Sequence, residues 1–136
     1  MKVYRSKIGK IPGRSYRDVE RAARDIHKQY AHSTKRNPYI KSLYFGREKI
    51  FIDMFWAHLS QKPRSDRKRR LKFYAAAIDL LQNTRFEPVS RKNPNGANET
   101  VYRFAGSTPS DELFYVQVKR DNSTNNKYFM SVFPPR

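Results

Sequence analysis

Apolar side chains recur at helical intervals along the first half of the chain and alternate along the second. Val19, Ala22, Ala23, Ile26 and Tyr30 form a helical stripe. Ser15 precedes it as an N-cap with Asp18 three residues on, so the pattern predicts a helix over 16–31. A loop at Asn37-Pro38 follows, then a short extended piece over 39–45. Beyond Gly46 the periodicity is mixed. Phe51, Phe55 and Leu59, with Ile52 and Trp56, are spaced by four, which favours a buried helix over 51–60 that Pro63 ends. Ser65 then caps a helix over 66–82 with apolar positions at Leu71, Tyr74, Ala75, Ile78 and Leu81. From residue 85 the signal changes to β-type runs at 86–89, 100–104, 113–119 and 127–133, parted by turn clusters at 93–96, 107–110 and 121–126.

These connections are too short for crossover helices, so neighbouring strands should pair antiparallel. The expected class is α+β, with N-terminal helices packed on a C-terminal four-stranded antiparallel β-meander. One domain is expected over 15–136, with a helical half at 15–83 and a sheet half at 85–136. Residues 1–14 carry neither periodicity and read as a basic arm. No internal repeat or low-complexity tract is present. Alternation separates the faces of the sheet. Phe114, Val116 and Val118 fall on one face with Tyr102 and Phe104, which makes it the core. Tyr115, Gln117 and Lys119 fall on the other with Arg103. On the last run, Lys127, Phe129, Ser131 and Phe133 alternate against Tyr128, Met130 and Val132. The resulting polar face carries Arg103, Tyr115, Gln117, Lys119 and Ser131, cations beside rings, a combination suited to phosphate and base together.

Charge sharpens this picture. The 136 residues include 29 Lys and Arg against 12 Asp and Glu, a formal net charge of +17. Such self-repulsion destabilises a compact chain unless a polyanion offsets it, and nucleic acid is the default partner. The 14% aromatic content is too high for a disordered basic tail. With no Cys, neither a disulfide nor a thiolate zinc site is available. No apolar run approaches the ~20 residues of a membrane span, so a cytoplasmic protein without a membrane partner is expected. Residues 1–70 hold 20 cations against six acids, residues 71–136 nine against six. The densest cluster is Lys62, Arg64, Arg67, Lys68, Arg69, Arg70 and Lys72. Several of these fall in the first turn of the expected 66–82 helix, where the macrodipole disfavours cations unless an anion binds there.

The acids are scattered, so metal-dependent phosphodiester chemistry is not expected, nor any metal or other cofactor. Metal-free RNA cleavage needs a base, an acid and a cation. His58, beside Trp56, reads either as a hydrogen-bonded structural histidine or as the base. Glu87 is open in the same way, as an ion-pair member or a base. His27 and His32 read as surface residues.

The segments Ala77-Ile78-Asp79-Leu80-Leu81, Phe86-Glu87-Pro88-Val89, Asn93-Pro94-Asn95-Gly96, Tyr102-Arg103-Phe104, Phe114 to Lys119 and Lys127 to Pro134 together resemble the barnase, colicin and RelE-like nuclease superfamily, its phage and mobile-element members most. The resemblance covers about 64–136 and leaves the helical half unexplained. It implies a metal-independent endoribonuclease of toxin type with RNA on the polar face of the sheet, Arg103, Tyr115, Gln117 and Lys119 as candidate catalytic residues, and a protein inhibitor or antitoxin as a partner. A catalytic His on the sheet is missing, which leaves open a member that binds without cutting. The alternative is a non-enzymatic DNA- or RNA-binding protein using the 62–72 cluster, with RNA favoured over DNA. A third reading is a basic module docking an acidic protein or ribosomal RNA in a larger assembly.

Overall fold

The computed structural model describes residues 1–34, 36–93 and 98–135. Its elements are β1 (Val3–Arg5), α1 (Tyr16–Ser33), β2 (Tyr39–Ser42), β3 (Glu48–Phe51), α2 (Met54–Ser60), α3 (Arg64–Leu71), α4 (Tyr74–Asn83), β4 (Val89–Lys92), β5 (Glu99–Ser107), β6 (Leu113–Asp121) and β7 (Lys127–Phe133). The class is α+β, but among the described residues the sheet is seven-stranded and mixed, not a four-stranded antiparallel meander. Its centre follows the alternation, since β4, β5, β6 and β7 pair antiparallel in sequence order. The additions come from the half that reads as helical. The β2–β3 hairpin joins β7 by parallel pairing of Ile50 with Lys127 and Phe51 with Tyr128. Lys127, 4% exposed, reaches across this seam to Glu48. β1 pairs parallel with the end of β5, Val3 opposite Ala105, and so shares one edge of β5 with β4.

Each departure from the local pattern has a packing cause. Ile50 and Ile52 are both fully buried and alternate as in a strand, whereas Phe55 and Leu59 continue at helical spacing. The chain therefore switches period at Asp53, and the helix expected over 51–60 begins at Met54. The helix expected over 66–82 is two helices broken at Lys72-Phe73, where Phe73 has φ −94° and ψ 6°. Leu71, Phe73 and Tyr74 are 0%, 3% and 0% exposed. One straight helix would set residues 71 and 73 about 200° apart, so the break is what buries both. The strand expected at 86–89 starts at Val89, after a turn in which Thr84 Oγ1 accepts from the Phe86 amide at 3.2 Å. The turn expected at 93–96 falls mostly outside the described residues.

Residues 1–14 are part of the domain and not an arm. Tyr4 Oη and Ser6 Oγ both donate to Asp79 Oδ2 of α4, at 3.0 and 2.7 Å. Ser6 and Ile11 are buried, and the Ile11 amide donates to the Lys72 carbonyl at 2.8 Å. Ser15 caps α1 as expected, its Oγ accepting from the Asp18 amide at 3.2 Å.

The core lies between the sheet and the helices. Phe114, Val116 and Val118 of β6 are all fully buried, with Tyr102 and Phe104 beside them. Phe55 of α2 stacks on Phe129 of β7 with centroids 4.7 Å apart. α4 approaches so closely that a Cβ at Gly106 would stand 2.6 Å from Phe114 Cζ and 2.7 Å from Leu80 Cδ1. No helix among the described residues is long and apolar enough to cross a membrane.

Candidate functional site

The polar face of the sheet is set by the pleat of β5 and β6 and by one irregularity in β7. Gln117 stands opposite Ser131 and Val118 opposite Phe129, which leaves Met130 without a partner. Strict alternation would keep Phe129, Ser131 and Phe133 together. The bulge separates them. Phe129 and Val132 enter the core at 0% exposure, while Ser131 Oγ donates to Gln117 Oε1 at 3.2 Å and the Phe133 ring lies 5.7 Å from that of Tyr115. Arg103 Cζ then stands 5.8 Å from the Tyr115 centroid and 5.5 Å from that of Phe133, a cation held over two rings.

Beyond Tyr128, β7 pairs with no further described strand on its outer side, and α2 and α3 cover that edge instead. Over it come His58 from α2, Lys62 from the α2–α3 connection and Arg70 from α3. With Gln117, Ser131 and Phe133 they line a cleft of about 290 Å³. A second cleft of about 180 Å³ lies on the other side of Gln117, lined by Met1, by Arg91 and Val89 of β4, by Val101 and Arg103 of β5, and by Tyr115 of β6. Three separate regions of the chain thus meet on one surface.

Burial, together with the nearby Lys119 and Lys62 charges, lowers the His58 pKa below its ordinary value of 6.5. The ring is therefore neutral at pH 7, and it has no hydrogen-bond partner among the described residues. Arg70 Nε donates to Asp66 Oδ2 at 2.9 Å, and its Cζ lies 5.4 Å from the Phe133 centroid. Burial alone would raise the Asp66 pKa, but hydrogen bonds from Arg69 and Arg70 outweigh it and hold the carboxyl low. Asp66 is thereby a fixed anchor that aims Arg70. Lys119 is different: its Nζ lies 3.1 Å from Glu99 Oε2, so much of its charge is already engaged.

The 62–72 cluster is not a single patch. Lys62 and Arg70 face the sheet cleft. Arg64 lies over the Tyr16 ring at 5.4 Å, Arg67 Nε donates to the Lys62 carbonyl at 2.7 Å and Lys68 Nζ reaches the Arg14 carbonyl. Arg69 bonds Asp66 and the Pro134 carbonyl. Because α3 ends at Leu71, Lys68, Arg69 and Arg70 occupy its last turn, where the macrodipole favours cations. The strain expected from a first-turn placement is absent for these three. Glu87 is exposed on the α4–β4 connection, where its charge helps raise the pKa of Tyr44, and it does not join the clefts.

No protein-family model, curated protein or solved structure matches this chain. A neutral imidazole, two cations and a polar amide converge beside a stacked Arg, an arrangement that can hold a phosphodiester and accept one proton. Among the described residues no three His, Asp or Glu are grouped as a metal site would need. Alternation reveals Arg103, Tyr115 and Gln117. It sets Phe133 on the parity of Ser131 but wrongly keeps Phe129 there, and it misses Arg91, whose strand begins later than its pattern suggests. The structural histidine is His27 instead of His58, its side chain only 14% exposed. His32 is exposed.

Proposed function

We propose that this chain binds RNA across the polar face of its sheet and cleaves it without a metal ion. The observation that carries the reading is the meeting of His58, Lys62 and Arg70 with Gln117 and Ser131 in one cleft. The neutral His58 takes the proton from a ribose 2′-hydroxyl. The 2′-oxygen attacks phosphorus, the bond to the 5′-oxygen breaks, and a 2′,3′-cyclic phosphate and a 5′-hydroxyl result. Lys62 and Arg70 stabilise the charge that builds on the phosphoryl oxygens. The leaving oxygen takes its proton from water. Incubation of labelled RNA with the protein in EDTA should give cyclic-phosphate ends, and His58→Asn should remove the cleavage while leaving binding intact. Intact RNA at every pH would overturn the nuclease reading.

A second reading, RNA binding without cutting, is favoured by one observation. The cleft of His58 is lined by no second histidine and no carboxylate among the described residues to serve as the acid. It predicts salt-sensitive binding that depends on Lys62 and Arg70 and is indifferent to His58→Asn. An acidic protein inhibitor would compete for the same face.

A further inference from the structure

The 180 Å³ cleft beside the cationic one has a different chemistry. One wall is apolar, formed by Met1, Val89 and Val101, and another is the Tyr115 ring. Its side-chain nitrogens are donors at their free ends, and the Tyr115 hydroxyl can donate or accept. Arg91 is exposed, Arg103 is oriented by the Tyr115 and Phe133 rings, and Gln117 has its Oε1 occupied by Ser131, which leaves its amide N–H₂ at the junction of the two clefts. No carboxylate lines this cleft among the described residues. The space suits one planar ring system and not a base pair.

We infer that this cleft holds one unpaired nucleobase, stacked on Tyr115, while the adjoining phosphate lies in the cleft of Lys62 and Arg70. The inference rests on the RNA reading above and narrows it to single strands, because a base inside a duplex offers neither a free face nor room to enter. A lining dominated by donors favours edges that present oxo groups, O6 of guanine or O4 of uracil. Adenine N6 and cytosine N4 are amino groups and would meet Arg91, Arg103 and Gln117 donor to donor. Gln117 belongs to both clefts, so a single nucleotide can span them.

The test uses 2′-O-methyl pentanucleotides, which cannot be cleaved, with four abasic positions and one central base, and an all-abasic pentamer for comparison, read by fluorescence anisotropy. The central guanine and uracil pentamers should bind roughly 5- to 150-fold more tightly than the abasic one, the range expected of one base stacked on one ring. They should also exceed adenine and cytosine by roughly 5-fold or more. Tyr115→Ala should erase the difference between the guanine or uracil pentamer and the abasic one. Tyr115→Leu, which keeps an apolar side chain at the position but no ring, should do the same, and circular dichroism confirms the fold of each. Equal binding of all five pentamers overturns the base cleft and leaves the phosphate contacts standing. A base-dependent gain indifferent to base identity or to both Tyr115 variants overturns it too. Failure of every pentamer to bind overturns both the cleft and the reading on which it rests.

Discussion

His27 is held from three directions. Its Nε2 lies 2.9 Å from Asp53 Oδ1, Trp56 Nε1 donates to its Nδ1 at 3.1 Å, and Tyr74 Oη stands 3.1 Å from the same Nδ1. An indole N–H only donates, so Nδ1 must accept and the proton sits on Nε2. Protonation would set two N–H groups against each other. Burial lowers the His27 pKa below 6.5, with the Arg24 charge helping and Asp53 opposing. The unfolded chain therefore takes up this proton first. The stability that His27 contributes is complete above 6.5 and is lost as pH falls through its lower folded value, a slope that urea midpoints measured from pH 7.5 to 5 should show. His27→Ala leaves the Trp56 donor without its acceptor and should cost roughly 1 to 3 kcal/mol in the same assay. His58 carries no such bonds, and its depressed pKa has a kinetic reading. Cleavage should rise with pH through a value below 6.5 and then stay flat, with no descending limb, and His58→Asn should slow it roughly 100- to 10,000-fold.

Packing between elements explains why the strands and helices begin and end where they do. Leu80 of α4 and Phe114 of β6 both close on residue 106 of β5, which has no Cβ. Gly106→Ala would drive Phe114 or Leu80 off its place and should cost roughly 1 to 3 kcal/mol in a denaturation curve. β1 is a three-residue strand that pairs with β5 and is also tied by Tyr4 to a side chain 75 positions away. Burial first, then the hydrogen bond and charge of Asp79, raise the Tyr4 pKa to about 12. In Asp79→Ala the phenol should titrate closer to 10, seen as an ultraviolet shift at 295 nm, and the Ser6 amide, which donates to the Ser107 carbonyl, should lose its protection from exchange. Helix α2 does two things at once. Phe55 anchors it on Phe129, and His58, three residues on, emerges at the cleft. Residues three apart lie about 60° from one another around a helix, so the side of α2 that buries Phe55 also carries His58 to the sheet edge.

Across the molecule, the +17 charge is divided between surfaces. Lys62, Arg70, Arg91 and Arg103 reach the clefts of the sheet, while Arg64, Arg67 and Lys68 turn toward α1 and the segment before it. If RNA lies on the sheet, Lys62→Gln with Arg70→Gln should flatten the slope of log affinity against log salt by about 1 to 1.5 for a single strand. Arg64→Gln with Lys68→Gln should change it much less, and equal effects of the two pairs would place the RNA elsewhere. What could be read along the chain was whatever a few neighbouring residues specify. The capped helix at Tyr16, the buried parity of Phe114, Val116 and Val118, the antiparallel order from β4 to β7 and the charge all belong to that kind. What could not be read depends on distant partners. The pairing of β1 with β5 and of β3 with β7, the break that buries Leu71 with Phe73 and the bulge that takes Phe129 off the parity of Ser131 and into the core leave no local periodic mark, because each is chosen by what the other side of the contact supplies. The site is of the second kind. Arg103, Tyr115 and Gln117 were visible as one face of two strands, but their company with His58, Lys62 and Arg70 arises only when α2 and α3 fold over the open edge of β7.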